Sequence, residues 1–234
     1  MRLDLLKAMN AARNQRRACA LVTRLSDNEQ RFVTAEAAPG DPLAEPIEAA
    51  LRGGKSQTIE HEGESYFLTI QVPPVRLVMI GAVHISQALA PIARIAGLDP
   101  VIIDPRDAFA TAERFPDAPV VAKWPDEALE ASPLDHYTAI CLLTHDPKID
   151  DRALVRALSA DCFYIGALGS RKTHAKRLER MRAEGFAEAA LARIHAPIGL
   201  DIGAVSPSEI AISIAGEIIQ ALRKKPLRVE RAGS

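Results

Sequence analysis

From Val75 onward, short apolar runs alternate with amphipathic helical patterns, and this alternation constrains the fold more than any other feature. Nearly continuous apolar runs are typical of strands that are buried on both faces of a sheet. The predicted strands are Val75–Ile80, Pro100–Ile103, Val120–Ala122, Thr138–Thr144 and Cys162–Ile165. The predicted helices are Ile85–Ala96, Asp126–Glu130, Arg152–Ser159, Thr173–Ala183, Ala187–Ile194 and Pro207–Arg223. This order predicts an α/β fold with a Rossmann-like, doubly wound, mostly parallel sheet.

Residues 1–73 show a different pattern, which predicts a small α+β N-terminal domain. The predicted elements are a helix near Leu5 to Ala12, strands Ala18–Leu25 and Arg31–Glu36, a helix Pro42–Leu51, and strands Thr58–His61 and Tyr66–Val72. Glu62-Gly63 separates the last two strands and predicts a hairpin. Pro73-Pro74 marks the boundary, so the expected domains are residues 1–73 and 74–234.

The amino-acid composition of the chain argues against several classes of function. The formal net charge of −1 argues against general nucleic-acid binding. No apolar run approaches the roughly 18 residues of a membrane helix, and no signal-peptide pattern is visible, so we expect a cytoplasmic protein without membrane contact. The three cysteines lie far apart, which predicts buried thiols rather than a disulfide framework or a zinc site. No metal site is predicted.

The segment Gly81-Ala-Val-His84 follows the first predicted strand and opens the first helix, as a dinucleotide-binding loop would. Asp104 lies 23 residues after Gly81, where an acid that binds ribose is expected. Val83, however, occupies the second glycine position of the GxGxxG pattern. Its β-branched side chain resists positive φ and stands where a phosphate would approach. Gly81, His84 and Asp104 are therefore candidate cofactor contacts, but the sequence argues against tight NAD(P) binding.

Polar residues follow the fourth predicted strand of this region, at Thr144-His145-Asp146. A hydroxyl, an imidazole and a carboxylate at a strand end are suited to acid–base work or to binding a polar ligand. The alternative is that Asp146 starts a turn before Pro147, with His145 as a turn residue. Both interpretations stay open at this point.

The segment Tyr164-Ile-Gly-Ala-Leu-Gly-Ser-Arg-Lys-Thr173 joins an apolar strand to a helix through two glycines. Glycine allows close backbone approach, a helix N-terminus offers free N–H groups, and cations supply charge, so this pattern predicts an anion site. The candidate contacts are Gly166, Gly169, Ser170, Arg171, Lys172 and Thr173. Arg171 is expected to bind two oxygens of the anion at once, whereas Lys172, the adjacent residue on the helix, is expected to point elsewhere. The alternative is an ordinary strand–helix turn with a solvated basic first turn.

No catalytic residue is assigned from the sequence. His195 fits a packed loop histidine better than a catalyst. His84, His145 and His195 are placed so that they can converge on one mouth of the sheet, but their spacing does not require a metal.

Together these stretches bear a specific resemblance. The region from Val75 to Lys224 resembles the XdhC/CoxI family of xanthine dehydrogenase accessory proteins. The matching stretches are Gly81-Ala-Val-His84, Asp104-Pro-Arg106, Glu113-Arg-Phe-Pro116, Leu143-Thr-His-Asp146, Tyr164 to Thr173, His195 to Gly203 and the helix Pro207–Glu217. The resemblance implies a Rossmann-like C-terminal domain behind a smaller N-terminal domain.

The resemblance also implies a function. Members are molybdenum-cofactor accessory proteins that bind molybdopterin or its dinucleotide form as cargo, protect it, support its sulfuration and help its insertion into a xanthine dehydrogenase-type molybdenum hydroxylase. The implied role is that of a maturation factor rather than an enzyme, with the hydroxylase as partner. A sulfurtransferase partner and a homodimer are left open.

Two departures from the family pattern bear on this function. Val83 stands where the family usually has glycine, and the N-terminal segment is reduced, with only Ala20 to Thr23 similar to the family's region there. An NAD(P)-dependent oxidoreductase on the same fold and a scaffold that binds no ligand therefore remain alternatives, because fold alone does not decide function.

Overall fold

The computed structural model describes residues 2–224, which form two compact units, residues 2–73 and 74–224. The N-terminal unit contains helices α1 (Leu3–Asn14) and α2 (Ala44–Gly53) and strands β1 (Cys19–Arg24), β2 (Gln30–Thr34), β3 (Gln57–His61) and β4 (Glu64–Gln71). Its four strands form an antiparallel sheet in the order β2-β1-β4-β3.

The predicted hairpin of the N-terminal unit is confirmed. β3 and β4 pair in antiparallel register, with His61 opposite Glu64. Glu62 and Gly63 both adopt positive φ, at 50° and 82°. Two central residues with positive φ match the right-handed twist of the strands they join, which explains the glycine at the second position.

The C-terminal unit alternates strands and helices. Its strands are β5 (Arg76–Ile80), β6 (Asp99–Ile103), β7 (Val120–Val121), β8 (Thr138–Leu142), β9 (Tyr164–Ala167) and β10 (Ile194–His195). Its helices are α3 (His84–Ile95), α4 (Pro125–Ala131), α5 (Pro147–Ser159), α6 (Arg171–Ala183), α7 (Glu188–Leu191) and α8 (Pro207–Lys224). All strand pairs are parallel, in the order β10-β9-β8-β5-β6-β7. This is the strand order of the doubly wound Rossmann fold, so the predicted fold class is confirmed.

Helices cover both faces of the parallel sheet. Alternate residues of a strand point to opposite faces, so β5 supplies two separate hydrophobic clusters. One cluster packs β5 against α3 and α8 through Leu77, Met79, Leu89 and Ile214. The other packs β5 against α5 and α6 through Val78, Ile80, Leu154 and Met181. The two clusters hold the strand ends, and the loops that follow them, in fixed positions.

Two helices of the C-terminal unit begin two or more residues earlier than the sequence predicts. Helix α5 begins at Pro147 rather than Arg152, because Asp146 accepts a hydrogen bond from the Lys148 N–H and caps the helix. Helix α6 begins at Arg171 rather than Thr173, because Ser170 caps it through the Thr173 N–H. Both caps use polar residues that the sequence also offered as ligand contacts.

Two predictions near the end of the sheet are wrong in detail. The strand predicted at Cys162–Ile165 lies instead at Tyr164–Ala167, since the Cys162 carbonyl accepts from the Arg193 guanidinium rather than from a neighbouring strand. The helix predicted at Ala187–Ile194 is the shorter α7, and Ile194 with His195 forms the edge strand β10, which pairs with β9.

The predicted buried thiols are confirmed. Cys19, Cys141 and Cys162 are free and buried. Burial raises the pKa of Cys19 to about 11 and that of Cys162 to about 12, so these thiols stay protonated at neutral pH. Within residues 2–224, no group of three or more His, Cys, Asp or Glu side chains is placed to hold a metal ion. No helix in that range is long and apolar enough to cross a membrane.

Candidate functional site

The loops after β5 and β8 meet at the carboxyl edge of the sheet, where the strand order reverses. Ligands of doubly wound folds bind at this position. Gly81 adopts a φ of 115°. A Cβ on Gly81 would lie 2.7 Å from Thr144 Cγ2 and 3.3 Å from the Thr144 backbone nitrogen. Gly81 is therefore required for the turn and for contact between the two loops.

Asp104 is fully buried, and its carboxylate is used inside the protein. One oxygen accepts hydrogen bonds from the Ala82 N–H and from Arg106 Nη2, both at 2.7 Å. The other accepts from the Arg106 N–H and Nε, both at 2.9 Å. Burial alone would raise the pKa of Asp104, but the bonds from Arg106 and Ala82 lower it overall, so the group is an anion at neutral pH. The carboxylate braces the Gly81 loop, and it is not a free ribose contact of the kind the sequence suggested.

Val83 and His84 lie at the start of α3. Val83 has a φ of −107°, so the backbone here requires no glycine, and the strain argument made from the sequence is wrong. Val83 packs partly against the hydrophobic cluster under α3. His84 is exposed as the first helical residue. The steric effect of the Val83 side chain on an approaching phosphate stays a prediction.

Thr144, His145 and Asp146 form the turn that starts α5. The Thr144 hydroxyl donates to Asp150 Oδ1 at 2.7 Å and accepts from the Asp146 N–H at 3.0 Å. Asp146 caps α5, and His145 has a left-handed φ of 63°. Asp146 therefore starts a turn, as the second interpretation of the sequence expected, and its carboxylate already accepts from the Lys148 N–H. His145 is exposed.

Gly166 is a packing position within β9, before the loop that leads to α6, and its contact with an anion stays a prediction. A Cβ on Gly166 would lie 2.5 Å from Ile198 Cδ1 and 2.7 Å from the Tyr164 ring. Gly169 does lie in the loop, with a φ of 127°, and a Cβ there would lie 3.0 Å from Thr173 Cγ2. The hydroxyls of Ser170 and Thr173 lie 3.1 Å apart, so each contacts the other.

A cavity of about 210 Å³ lies between the first turns of α5 and α6, next to the carboxyl ends of β8 and β9. It is lined by His145, Pro147, Asp150, Asp151, Lys172, Thr173, Lys176, Arg177 and Arg180. Three predicted site residues, His145, Lys172 and Thr173, are thus brought together. Lys172 lines the cavity and Arg171 does not, so the part of each in ligand binding stays a prediction.

Six residues that line this cavity were not predicted from the sequence, and Arg177 and Asp150 are the most buried of the charged ones. Arg177 is only 2% exposed, and Asp150 only 1%. Arg177 Nη2 donates to the Leu168 carbonyl at 2.9 Å, while its Nε and Nη1 are buried without a hydrogen-bond partner. Asp150 Oδ2 is likewise buried without a partner. Burial lowers the pKa of Arg177 and raises that of Asp150. A signal was present in the sequence, because Lys172, Lys176 and Arg180 recur every four residues and share one face of a helix.

A second polar cluster surrounds Glu217 on α8. Glu217 Oε2 accepts from the Tyr164 hydroxyl at 2.5 Å and from the Gly199 N–H at 2.6 Å, and Oε1 lies 2.9 Å from His195 Nδ1. The Glu217 carboxylate on α8 therefore orients the imidazole of His195, which lies on the edge strand β10. Of the three histidines expected to converge, only His145 lines the cavity.

A family model for the XdhC Rossmann domain matches residues 77–218. The chain belongs to the XdhC family. The resemblance stated from the sequence is thereby confirmed, and the matched region covers the whole parallel sheet except its first residue and includes both loops that form the cavity.

Three curated proteins are similar to this XdhC-family chain. The molybdenum cofactor insertion chaperone PaoD of Escherichia coli K12 is 32% identical over 146 residues, which are 62% of this chain and 40% of that protein. A probable xanthine dehydrogenase subunit of Bacillus subtilis 168 is 27% identical over 211 residues, 89% of this chain and 62% of that protein. The uncharacterized protein YqeB of Escherichia coli K12 is 32% identical over 167 residues, 69% of this chain and 30% of that protein. The chain thus spans less than two thirds of the length of each relative.

A solved structure shares the fold. A crystal structure described as a xanthine dehydrogenase from Bacillus halodurans superimposes with a TM-score of 0.69, at 24% identity, over 95% of this chain and 67% of that one. This likeness supports the fold of both units.

Proposed function

We propose that this chain is a molybdenum-cofactor accessory protein. It binds molybdopterin or its dinucleotide form at the carboxyl edge of the parallel sheet and helps to insert it into a xanthine dehydrogenase-type molybdenum hydroxylase. One observation carries the proposal: a cation-lined cavity opens at the ligand-binding edge of a domain whose family includes a relative named as a molybdenum cofactor insertion chaperone. The chain acts as a maturation factor rather than as an enzyme.

The chemistry of the edge suits such a cargo. A phosphate-bearing ligand needs N–H donors and cations, and Lys172, Lys176 and Arg177 lie along the cavity. The cofactor is cargo, so binding has to be firm enough to shield it from water and weak enough to release it to a client.

Protection, sulfuration and insertion are the finer parts of the proposal. A labile cofactor is best transferred without release into water, so the chain is expected to contact the hydroxylase directly. Whether a sulfurtransferase and a second copy of the chain are further partners is left open by the proposal. The alternative of an NAD(P)-dependent oxidoreductase gains no support, because the Asp104 carboxylate that would bind ribose already accepts four hydrogen bonds.

Reconstitution tests the proposal. The chain is co-expressed with the cofactor pathway and purified without oxygen. It is then added to a molybdenum hydroxylase that has been prepared without its cofactor. This hydroxylase comes from a cell that contains both the chain and the hydroxylase. We expect the hydroxylase to gain activity faster than with free cofactor, and to co-purify with the chain in pull-downs. A hydroxylase that is neither activated nor captured contradicts the accessory role. The same chain purified from cells that lack the pathway is the matched control.

A further inference from the structure

Four cations of α6 line the cavity, and one of them, Lys172, lies in the first turn, where a helix tolerates positive charge least. The first turn contains no acidic residue, and Lys172, Lys176, Arg177 and Arg180 all line the cavity. Backbone N–H groups already give a helix N-terminus partial positive charge, so cations there are unfavourable unless an anion lies nearby. The chain as a whole carries a net charge of −1, so this concentration is local.

Two buried side chains at the cavity, one a donor and one an acceptor, have polar atoms without hydrogen-bond partners. Arg177 has two donor nitrogens without acceptors, and Asp150 has one oxygen without a donor. Both side chains are more than nine-tenths buried. The charges of Arg177 and Asp150 attract each other, but their unpaired atoms still lack hydrogen bonds. Because buried polar atoms in proteins are nearly always hydrogen-bonded, these atoms favour a ligand that offers both acceptors and a donor. The Asp151 carboxylate, in contrast, already has a partner, because Arg180 donates to it at 2.5 and 3.0 Å.

We infer that this cavity binds a phosphate group that carries one proton. The unprotonated oxygens accept from Arg177 and from Lys172 and Lys176 at the rim, and the remaining O–H donates to Asp150 Oδ2. Inorganic phosphate carries one proton at neutral pH because HPO4²⁻ loses its last proton only in strong base, and a phosphomonoester carries one in its monoanionic form, below its second pKa of about 6, whereas sulfate carries none. The phosphate belongs either to the inorganic ion or to the end of a larger phosphomonoester. Only its assignment to a pterin cofactor rests on the function proposed above.

Calorimetry with inorganic phosphate at neutral pH and fixed ionic strength tests the site. We expect binding to the full chain, weakened by about tenfold in Lys172→Gln and in Lys176→Gln, since each removes a charged hydrogen bond. Arg171→Gln is the matched control, because Arg171 lies on the same turn but outside the cavity lining, and its affinity should be unchanged. Absence of phosphate binding, or equal weakening in the Arg171 control, overturns the inference. All three side chains are exposed, so the variants are expected to fold.

The Asp150 contact is tested by the choice between oxyanions. The wild-type chain should bind phosphate at least about tenfold more tightly than sulfate. In Asp150→Asn, Oδ1 can still accept from Thr144, while the amide donates where the carboxylate accepted. Sulfate should then bind as well as phosphate. An unchanged preference in a variant with a normal melting curve overturns the role of Asp150, and an equal affinity of the wild-type chain for both ions overturns it without any variant.

Competition identifies the source of the phosphate. Glycerol 3-phosphate that displaces inorganic phosphate at about pH 6, where part of it still carries a proton, and with the same dependence on Lys172 and Lys176, supports a site for the phosphate end of a larger molecule. Binding of inorganic phosphate alone supports the oxyanion site and rejects its link to the cofactor. Phosphate binding that persists in a chain unable to carry molybdenum cofactor likewise separates this site from the proposed function.

Discussion

His195 Nδ1 lies 2.9 Å from Glu217 Oε1, and this contact fixes the imidazole on the edge strand of the sheet. Glu217 also accepts from the Tyr164 hydroxyl and the Gly199 N–H, so one carboxylate joins β9, β10, the following loop and α8. Burial raises the pKa of Glu217, but the bonds from His195, Tyr164 and Gly199 outweigh it and lower this pKa overall. The carboxylate is therefore a structural anion.

The Glu217 cluster predicts a pH-dependent loss of stability. A carboxylate with a lowered pKa stabilises the fold above its unfolded-state value, near 4.5, and that contribution is lost as the pH falls through the folded-state pKa. Glu217→Gln should lower the free energy of unfolding by about 1–3 kcal/mol at neutral pH, and the difference from wild type should shrink below about pH 4.5. Urea unfolding at several pH values measures this. A constant difference at all pH values contradicts the electrostatic role.

Gly166→Ala should destabilise the C-terminal unit by about 1–3 kcal/mol, because the new methyl group would overlap Ile198 and the Tyr164 ring. Gly53→Ala is the control, since a Cβ there meets nothing within 4 Å. Thermal unfolding measures the effect. If Gly166 were instead a phosphate contact, the alanine variant would keep its stability and lose anion affinity.

Gly81→Ala should destabilise by about 2–4 kcal/mol, through positive φ and through overlap with Thr144 Cγ2. Thr144→Ser removes that methyl group and keeps the hydroxyl that binds Asp150. The double variant should therefore recover part of the loss, and a double-mutant cycle measures the coupling. Strict additivity would show that the two loops do not touch as described.

NAD(P)H should bind weakly or not at all. Val83 stands beside the expected position of the pyrophosphate, and each charged hydrogen bond that its side chain prevents is worth about 1.5–3 kcal/mol. Val83→Gly should improve binding if this loop is otherwise competent. Low-micromolar affinity in the wild-type chain, measured by calorimetry, would show that the prediction is wrong.

The fold was largely predictable from the sequence, because continuous apolar runs and helical periodicity report burial directly. Positions such as Leu77 and Met79 are apolar for the same reason that they are core residues. The site was less predictable. A glycine in a strand end and a glycine in a loop look alike in sequence, and the difference between Gly166 and Gly169 lies in which side chains come near them.

The polar residues at the strand ends show the same limit. Asp104, Asp146 and Ser170 were offered as ligand contacts, yet their oxygens satisfy backbone N–H groups and, at Asp104, the Arg106 guanidinium. Capping and ligand binding favour the same residue types at helix starts, so the sequence cannot separate them. Arg177 was missed because a buried cation is expected to be rare, and its burial follows from the packing of α6 against α5.

The molybdenum content of the purified chain tests most directly whether the chain carries the molybdenum cofactor. The chain is co-expressed with the cofactor pathway, purified without oxygen, and measured by elemental analysis and by native mass spectrometry for the bound cofactor. We expect stoichiometric molybdenum in the wild type and in Arg171→Gln, and a clear loss in a Lys172→Gln, Lys176→Gln double variant. Wild-type chain with no more molybdenum than an unrelated Rossmann-fold protein from the same cells would contradict it.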